Sequence, residues 1–315
     1  MSVLFDRLDP GEITGMHVRA RFDSDTVIEG RIEGGQLMGF EIKEMADREY
    51  FADPALDQSA LKRFMVSPLS YVDYLDHGLD VSGDALDFGK AAHALVLGTG
   101  AEVVDRPNLR TKAGKALMEE LRASDAVVVS SGDRERLRKM GAVSAPYFRS
   151  LPGRPEMVVV ADDPGSGLRL KGKFDWLPDG PDEDGVLRIR DYKTTSADPR
   201  EFPGEAARFG YHIQAAFYMM LYRLTGFQGL LGFEFVVQEK KRPYDYMVWR
   251  MDEDGPETVL AGERIAQALD ELAGFRRDSP DDWKRRMGEY GLDKTPRTVG
   301  FPGWRIDREY EEMEV

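Results

Sequence analysis

Asp191 and Lys193 stand two residues apart at the end of a short apolar run. The run contains Val186, Leu187 and Ile189 and follows a turn-rich segment, Pro178 to Gly185. Its residue types suit a strand that is at least half buried. Residues i and i+2 of a strand face the same side, so the carboxylate and the ammonium project side by side. A carboxylate there can hold a hard cation, and an adjacent ammonium can orient or deprotonate a water. An isolated pair of this kind is more commonly a surface ion pair of little energetic weight. The preceding segment, Leu168 to Leu177, changes that balance. By strand alternation Lys171, Lys173 and Asp175 share one face, with Leu170, Phe174 and Trp176 on the other. Adjacent strands can set Asp175 beside Asp191, and two neighbouring carboxylates are costly unless a cation neutralises them.

Other chemistry-bearing residues are spread along the chain. His93 lies in an apolar helix, Leu86 to Leu97, with Gly89 four residues before it on the same face. A histidine so placed is more often a satisfied core residue than a ligand. Glu156 opens the strand that ends at Asp162. Gln214, Tyr218 and Tyr222 recur every four residues in a helix expected from Glu205 to Leu224 and could equally form its polar edge. Ser59, Lys62 and Arg63 fall in a short helix, Leu56 to Met65. The next helix opens with Ser67 as N-cap and Pro68 at the first turn. Arg106, Arg110, Lys112 and Lys115 could track a phosphate backbone or belong to a solvated linker and helix start. Lys240, Lys241 and Arg242 form a basic turn between two strands.

The elements that must position these residues alternate between strands and helices. Residues 1–45 differ in character: Val18 to Phe22 and Val27 to Ile32 alternate polar and apolar residues, with turn signals at Asp23–Asp25 and Gly34–Gly35. They are expected to form a small antiparallel β appendage to a single domain over 46–315. Long helices are expected at about 131–148 and 256–277, a short one at 281–290, and a tail around Phe301 to Trp304 wrapping the surface. With 315 residues and 42% apolar content, the chain can bury a sizeable core. It has no cysteine, which removes disulfides, thiolate zinc sites and iron–sulfur clusters together. No apolar run is long enough for a membrane span and no signal peptide is apparent, so a cytosolic location is expected. The net charge of −14 argues against a uniformly basic nucleic-acid surface.

Taken in order, Gly89 and His93, Glu156, Lys171 to Asp175, Asp191 to Thr195, and Gln214 with Tyr218 form a set that resembles the PDDEXK nuclease superfamily. Within it, the chain is similar to the phage and prophage branch of exonuclease VIII, the RecE-like exodeoxyribonucleases. Leu56 to Lys62, Ser67–Pro68, Thr111 to Lys115, Tyr211 to Tyr218 and Gln238 to Tyr244 also carry the resemblance, which runs from about Leu56 to Trp304. It implies an α/β fold with a central mixed β-sheet flanked by helices. It also implies Mg²⁺ or Mn²⁺, one or two ions, bound by Asp175, Asp191, His93 and the main-chain carbonyl of Tyr192. Lys193 would position or activate the attacking water, Glu156 would be an auxiliary carboxylate, and Gln214 and Tyr218 would steady the phosphate or Lys193. The absence of cysteine departs from the iron–sulfur branches of the superfamily.

The implied activity is 5′→3′ exonuclease action on double-stranded DNA ends, making single-stranded tails for a strand-annealing recombinase. The implied assembly is a homo-oligomeric ring. Two alternatives remain: a structure-specific endonuclease on the same core, and a non-catalytic DNA-binding or assembly module. DNA is expected to bind only along a restricted basic path formed by Lys62, Arg63, Arg110, Lys112, Lys115, Lys171, Lys173 and Lys240 to Arg242.

Overall fold

The apolar runs read from the sequence become the strands of one large sheet, and the segments between them become helices on both of its faces. The computed structural model describes residues 17–21, 27–33, 36–78, 83–99, 102–124 and 126–297. In chain order, three strands come first: β1 (His17–Arg21), β2 (Val27–Glu33) and β3 (Gln36–Glu44). Helices α1 (Asp47–Ala52), α2 (Gln58–Val66), α3 (Pro68–His77) and α4 (Asp84–Leu97) follow. Then come β4 (Val103–Asp105), α5 (Lys112–Ala123), β5 (Val127–Val129) and α6 (Ser131–Arg149). The centre is β6 (Arg154–Asp162), β7 (Arg169–Leu177) and β8 (Val186–Thr195), followed by α7 (Phe202–Phe209) and α8 (Tyr211–Arg223). Strands β9 (Leu230–Glu239) and β10 (Tyr246–Asp252) and helices α9 (Pro256–Asp278) and α10 (Trp283–Met287) complete the described chain.

Among the described residues the main sheet has eight strands in the order β1-β2-β3-β6-β7-β8-β9-β10, beside a parallel pair of β4 and β5. Neighbours in the main sheet are antiparallel except β8 and β9, which run parallel from Val186↔Leu230 to Thr195↔Glu239. A parallel link needs a crossover, which α7 and α8 supply. This is the mixed sheet flanked by helices expected from the sequence. The N-terminal strands are not set apart from it. Strand β3 pairs with β6 from Phe40↔Ala161 to Glu44↔Met157, so they extend the same sheet. The rest of residues 1–44, and the tail at Phe301 to Trp304, lie outside the described residues.

Alternation along β8 sends its side chains into two cores. Leu187 and Ile189 join Phe64, Phe217, Phe233 and Leu269 on one face, while Tyr192 joins Phe88, Phe148 and Val236 on the other. Burying such side chains contributes about 1.5–3 kcal/mol each. Helix starts are fixed by side chains that accept otherwise unpaired N–H groups: Asp57 from Ala60, Ser67 from Ser70, Thr111 from Gly114 and Ser130 from Asp133. The expected Glu205–Leu224 helix is in fact two. Gly210 adopts φ 66 and ends α7 before α8 begins, the left-handed stop that glycine accepts without a Cβ penalty. No helix among the described residues is long and apolar enough to cross a membrane.

Candidate active site

The two central strands of the acid–lysine reading do not run together for long. Strands β7 and β8 are joined through one residue pair, Trp176↔Arg190. Asp175 and Asp191 are the next residue on either strand, where the ladder has already opened. An opened ladder leaves main-chain N–H groups that must find other partners. The Asp175 carboxylate takes one of them, accepting the Tyr192 N–H at 2.8 Å. The wedge between the strands is thus held by a side chain that also carries charge into it.

Strand β7 is locally distorted at this point. Leu170 and Phe174 lie in the larger core as alternation requires, but Trp176 turns to the other core, where its ring lies 5.7 Å from that of Phe148. The expected shared face of Leu170, Phe174 and Trp176 therefore breaks at Asp175. On the neighbouring strand Glu156 has φ 48, and it sits between the pairs Pro155↔Trp176 and Met157↔Phe174. A positive φ is unusual for a residue other than glycine, and such strain concentrates at functional sites.

Around the wedge, opposite charges pair. His93 Nδ1 lies 3.3 Å from Asp175 Oδ2, and Lys193 Nζ lies 2.6 Å from Asp191 Oδ2. Gln214 Nε2 donates to Asp191 Oδ1 at 2.5 Å. Burial acts to lower the His93 pKa, but the Asp175 carboxylate outweighs it and the net shift is upward. For Asp175 burial acts to raise the pKa, and His93 with Lys193 turns the net shift downward. Asp191 is pushed up to about 6, chiefly by burial, with Asp175 adding to the rise and Lys193 opposing it. Lys193 is raised: burial opposes its charge, but Asp191 and Asp175 more than compensate. It is therefore an ammonium at neutral pH, a charge donor rather than a base.

The donor set of two carboxylates, one imidazole and the Tyr192 carbonyl suits a hard divalent cation. One observation favours that fit. Asp191 Oδ2 is buried and receives no hydrogen bond of acceptable geometry, despite the nearby ammonium. Among the described residues, however, no three His, Asp or Glu side chains are already gathered to hold an ion. His93 and Asp191 are each engaged with a charge partner instead.

The remaining expectations divide. Gln214 is at the site, bonded to Asp191. Tyr218 is 6% exposed, its ring stacks on Phe174 at 4.7 Å and lies against Gly172; burial raises its pKa, with the nearby Asp191 and Asp175 adding to the rise. Glu156 reaches Lys173 at 3.0 Å, and Lys173 also binds Asp47 at 2.6 Å. Lys171 is 3% exposed, and its ammonium donates to the carbonyls of Tyr50 and Asp53 at 2.5 and 2.7 Å. It caps the end of α1 and is not available to DNA, and Lys173 is largely spent on two carboxylates. Arg63, Arg110, Lys112, Lys115, Lys241 and Arg242 are exposed, while Lys62 and Lys240 are partly buried.

Lys62 donates to the Phe209 carbonyl at 3.1 Å, and its pKa falls to about 8 through burial and the nearby Lys193. It is thus a second cation beside the wedge. One contributor to the site was missed in the sequence. The Tyr211 ring lies 4.9 Å from Lys193 Nζ, a cation–π interaction that holds the ammonium from the side. Arg136 and Lys240 both lie over Phe88, at 5.6 and 5.4 Å. Tyr211 stands three residues before Gln214, so it faces the same way along the helix; that spacing was the available signal.

Acids on two splayed strands, with a lysine two residues beyond the second, define a class of phosphodiester-cleaving proteins. The model of the PD-(D/E)XK nuclease superfamily matches residues 55–294. The chain belongs to the PD-(D/E)XK nuclease superfamily. Members generally use divalent metal ions. No curated protein sequence matches the chain. Among solved structures the chain is similar to a protein from Eubacterium rectale described as a "putative exonuclease". The TM-score is 0.50 at 14% identity, covering 84% of this chain and 98% of the other. At that identity the likeness is one of fold.

Proposed function

We propose that the chain is a divalent-cation-dependent DNA exonuclease that degrades double-stranded DNA from its ends, 5′→3′. The observation that carries the reading is the wedge itself. Asp175 and Asp191 stand at the point where two strands part, and Lys193 is paired at 2.6 Å to the second acid. The polarity and the RecE-like branch rest on the resemblance of the sequence motifs. So do a recombination role with a strand-annealing recombinase, a homo-oligomeric ring and a cytosolic location. The Eubacterium rectale protein, described as a "putative exonuclease", lends the reading support through its fold.

The residues divide the work as follows. Asp175, fixed by the Tyr192 N–H, and Asp191, fixed by Gln214, would hold a divalent cation through their carboxylate oxygens, with His93 beside them. Bound Mg²⁺ or Mn²⁺ would neutralise charge at the phosphorus and favour ionisation of a water. Lys193, held by Tyr211, donates from its ammonium to the attacking water or to a phosphate oxygen. Such placed positive charge is worth most where charge develops in the transition state. Lys62 adds a second cation on the side of α2, where a phosphate would approach.

The test uses purified full-length chain with MgCl₂ or MnCl₂ and duplexes labelled at either the 5′ or the 3′ end. Early release of the 5′ label from linear duplex, with closed circles intact, is expected. Cleavage of nicked or closed circles at equal rates would replace this reading with an endonuclease. Binding without cleavage in any divalent cation would replace it with a non-catalytic module.

A further inference from the structure

The motif from Gln238 to Tyr244 has so far no task beyond its basic side chains, yet its first residue lies in the interior. Gln238 is fully buried at the end of β9. Its side-chain amide has two acceptor sites and two donors, and all four are used. Oε1 accepts from the Ser144 hydroxyl at 2.9 Å and from the Tyr192 hydroxyl at 2.5 Å. Nε2 donates to the Met140 carbonyl at 3.0 Å and to the Tyr244 carbonyl at 2.7 Å. A fully satisfied network of this kind fixes a single arrangement of the elements it joins.

The partners belong to three different elements. Ser144 and Met140 are on α6. Tyr244 ends the turn that carries Lys240, Lys241 and Arg242, and its φ of 67 sets the direction of its carbonyl. Tyr192 lies between the acid and the lysine of β8. Its ring packs edge-on against His93 at 5.4 Å, and its N–H is the group that Asp175 accepts. A displacement of Tyr192 therefore moves Asp175 and His93 together.

We propose that Gln238 is a positioning residue: it ties the Tyr192 segment of the candidate active site and the basic β9–β10 turn to one frame. Its catalytic consequence rests on the nuclease reading; the mechanical link does not. Tyr192→Phe cuts only the link to β8, leaving the turn held. Gln238→Leu cuts both links.

The experiment compares both variants with the unaltered full-length chain in two measurements. The first is hydrogen–deuterium exchange of the Tyr192 amide in EDTA. The second is steady-state cleavage of a linear duplex in MnCl₂. Tyr192→Phe is expected to speed exchange at Tyr192 and lower kcat by about 10–100-fold, the usual effect of losing a partner that orients a ligand or catalytic group. KM for the duplex should stay within about twofold. Gln238→Leu is expected to lower kcat and also raise KM. If Gln238→Leu fails to fold, Tyr192→Phe alone decides. Exchange and kcat that stay at the unaltered values in folded Tyr192→Phe overturn the proposal. So does a uniform rise in exchange across the sheet, which marks general destabilisation. If the unaltered chain cleaves nothing, the nuclease reading fails, and the exchange measurement still decides the link.

Discussion

At the residue scale, Asp191 and Lys193 share one strand face and one ion pair yet should fail differently. Asp191→Asn removes negative charge from the donor set, so manganese affinity and cleavage should fall together. Lys193→Ala removes positive charge beside it, so manganese binding, read by calorimetry, should persist or tighten. Single-turnover cleavage should still fall on the order of 10²–10³-fold, the usual loss for one electrostatic group. Burial also gives Asp191 a signature in stability. Its pKa in the folded chain, about 6, lies above the ordinary carboxylate value of 3.8. A raised acid contributes stability below its unfolded pKa and loses it as pH rises through the folded one. In EDTA the unaltered chain should therefore lose stability relative to Asp191→Asn between about pH 4 and pH 6, as followed by urea unfolding at each pH. Parallel curves for the two proteins would mean that Asp191 is not buried as a strained acid. The acid and the lysine were legible because alternation is local. The role of Lys171 was not: its face could be read, but not that the carbonyl end of α1 would be there to take its ammonium.

At the element scale, the wedge depends on how β8, β9 and β10 are held. Glu234 is 1% exposed and accepts from Arg190 Nε and Arg250 Nε, each at 2.8 Å, across the three strands. Removing the shared acid leaves Arg190 buried without a counter-charge. Glu234→Ala should cost about 3–5 kcal/mol in urea unfolding, as for other broken buried pairs. A loss below about 1 kcal/mol would show that the arginines find other partners. On α4, a Cβ added at Gly89 would meet nothing. Gly89→Ala should therefore stabilise the helix by about 0.5–1 kcal/mol. If it also raises KM for duplex, that open face lies against DNA. Most elements were readable from caps and periodicity, including Ser67 with Pro68 at the start of α3. The break at Gly210 carried a glycine signal that the apolar periodicity on both sides masked. The slip of β7 at Asp175 had no local signal, since it coincides with the distorted backbone of Glu156 on another strand.

At the scale of the whole molecule, the proposed DNA substrate is expected to bind a chain of net charge −14 only along a narrow path. With Lys171 and Lys173 spent internally, the exposed cations Arg63, Arg110, Lys112, Lys115, Lys241 and Arg242 remain as candidates. Neutralising Arg110, Lys112 and Lys115 together should reduce the salt slope of duplex binding by roughly one for each phosphate left without a cation. Lys171→Ala should leave that slope unchanged while lowering stability. An unchanged slope in the triple variant would place the DNA elsewhere. The central proposal is that the β7–β8 wedge, with Asp175 and Asp191, is the site at which DNA is hydrolysed from its ends. The most direct measurement is nucleotide release from linear and from covalently closed duplex, in MnCl₂, by the unaltered chain and by Asp191→Asn. The prediction is release from linear duplex alone, slowed by at least about 10²-fold in Asp191→Asn. Release by Asp191→Asn at the unaltered rate would contradict it.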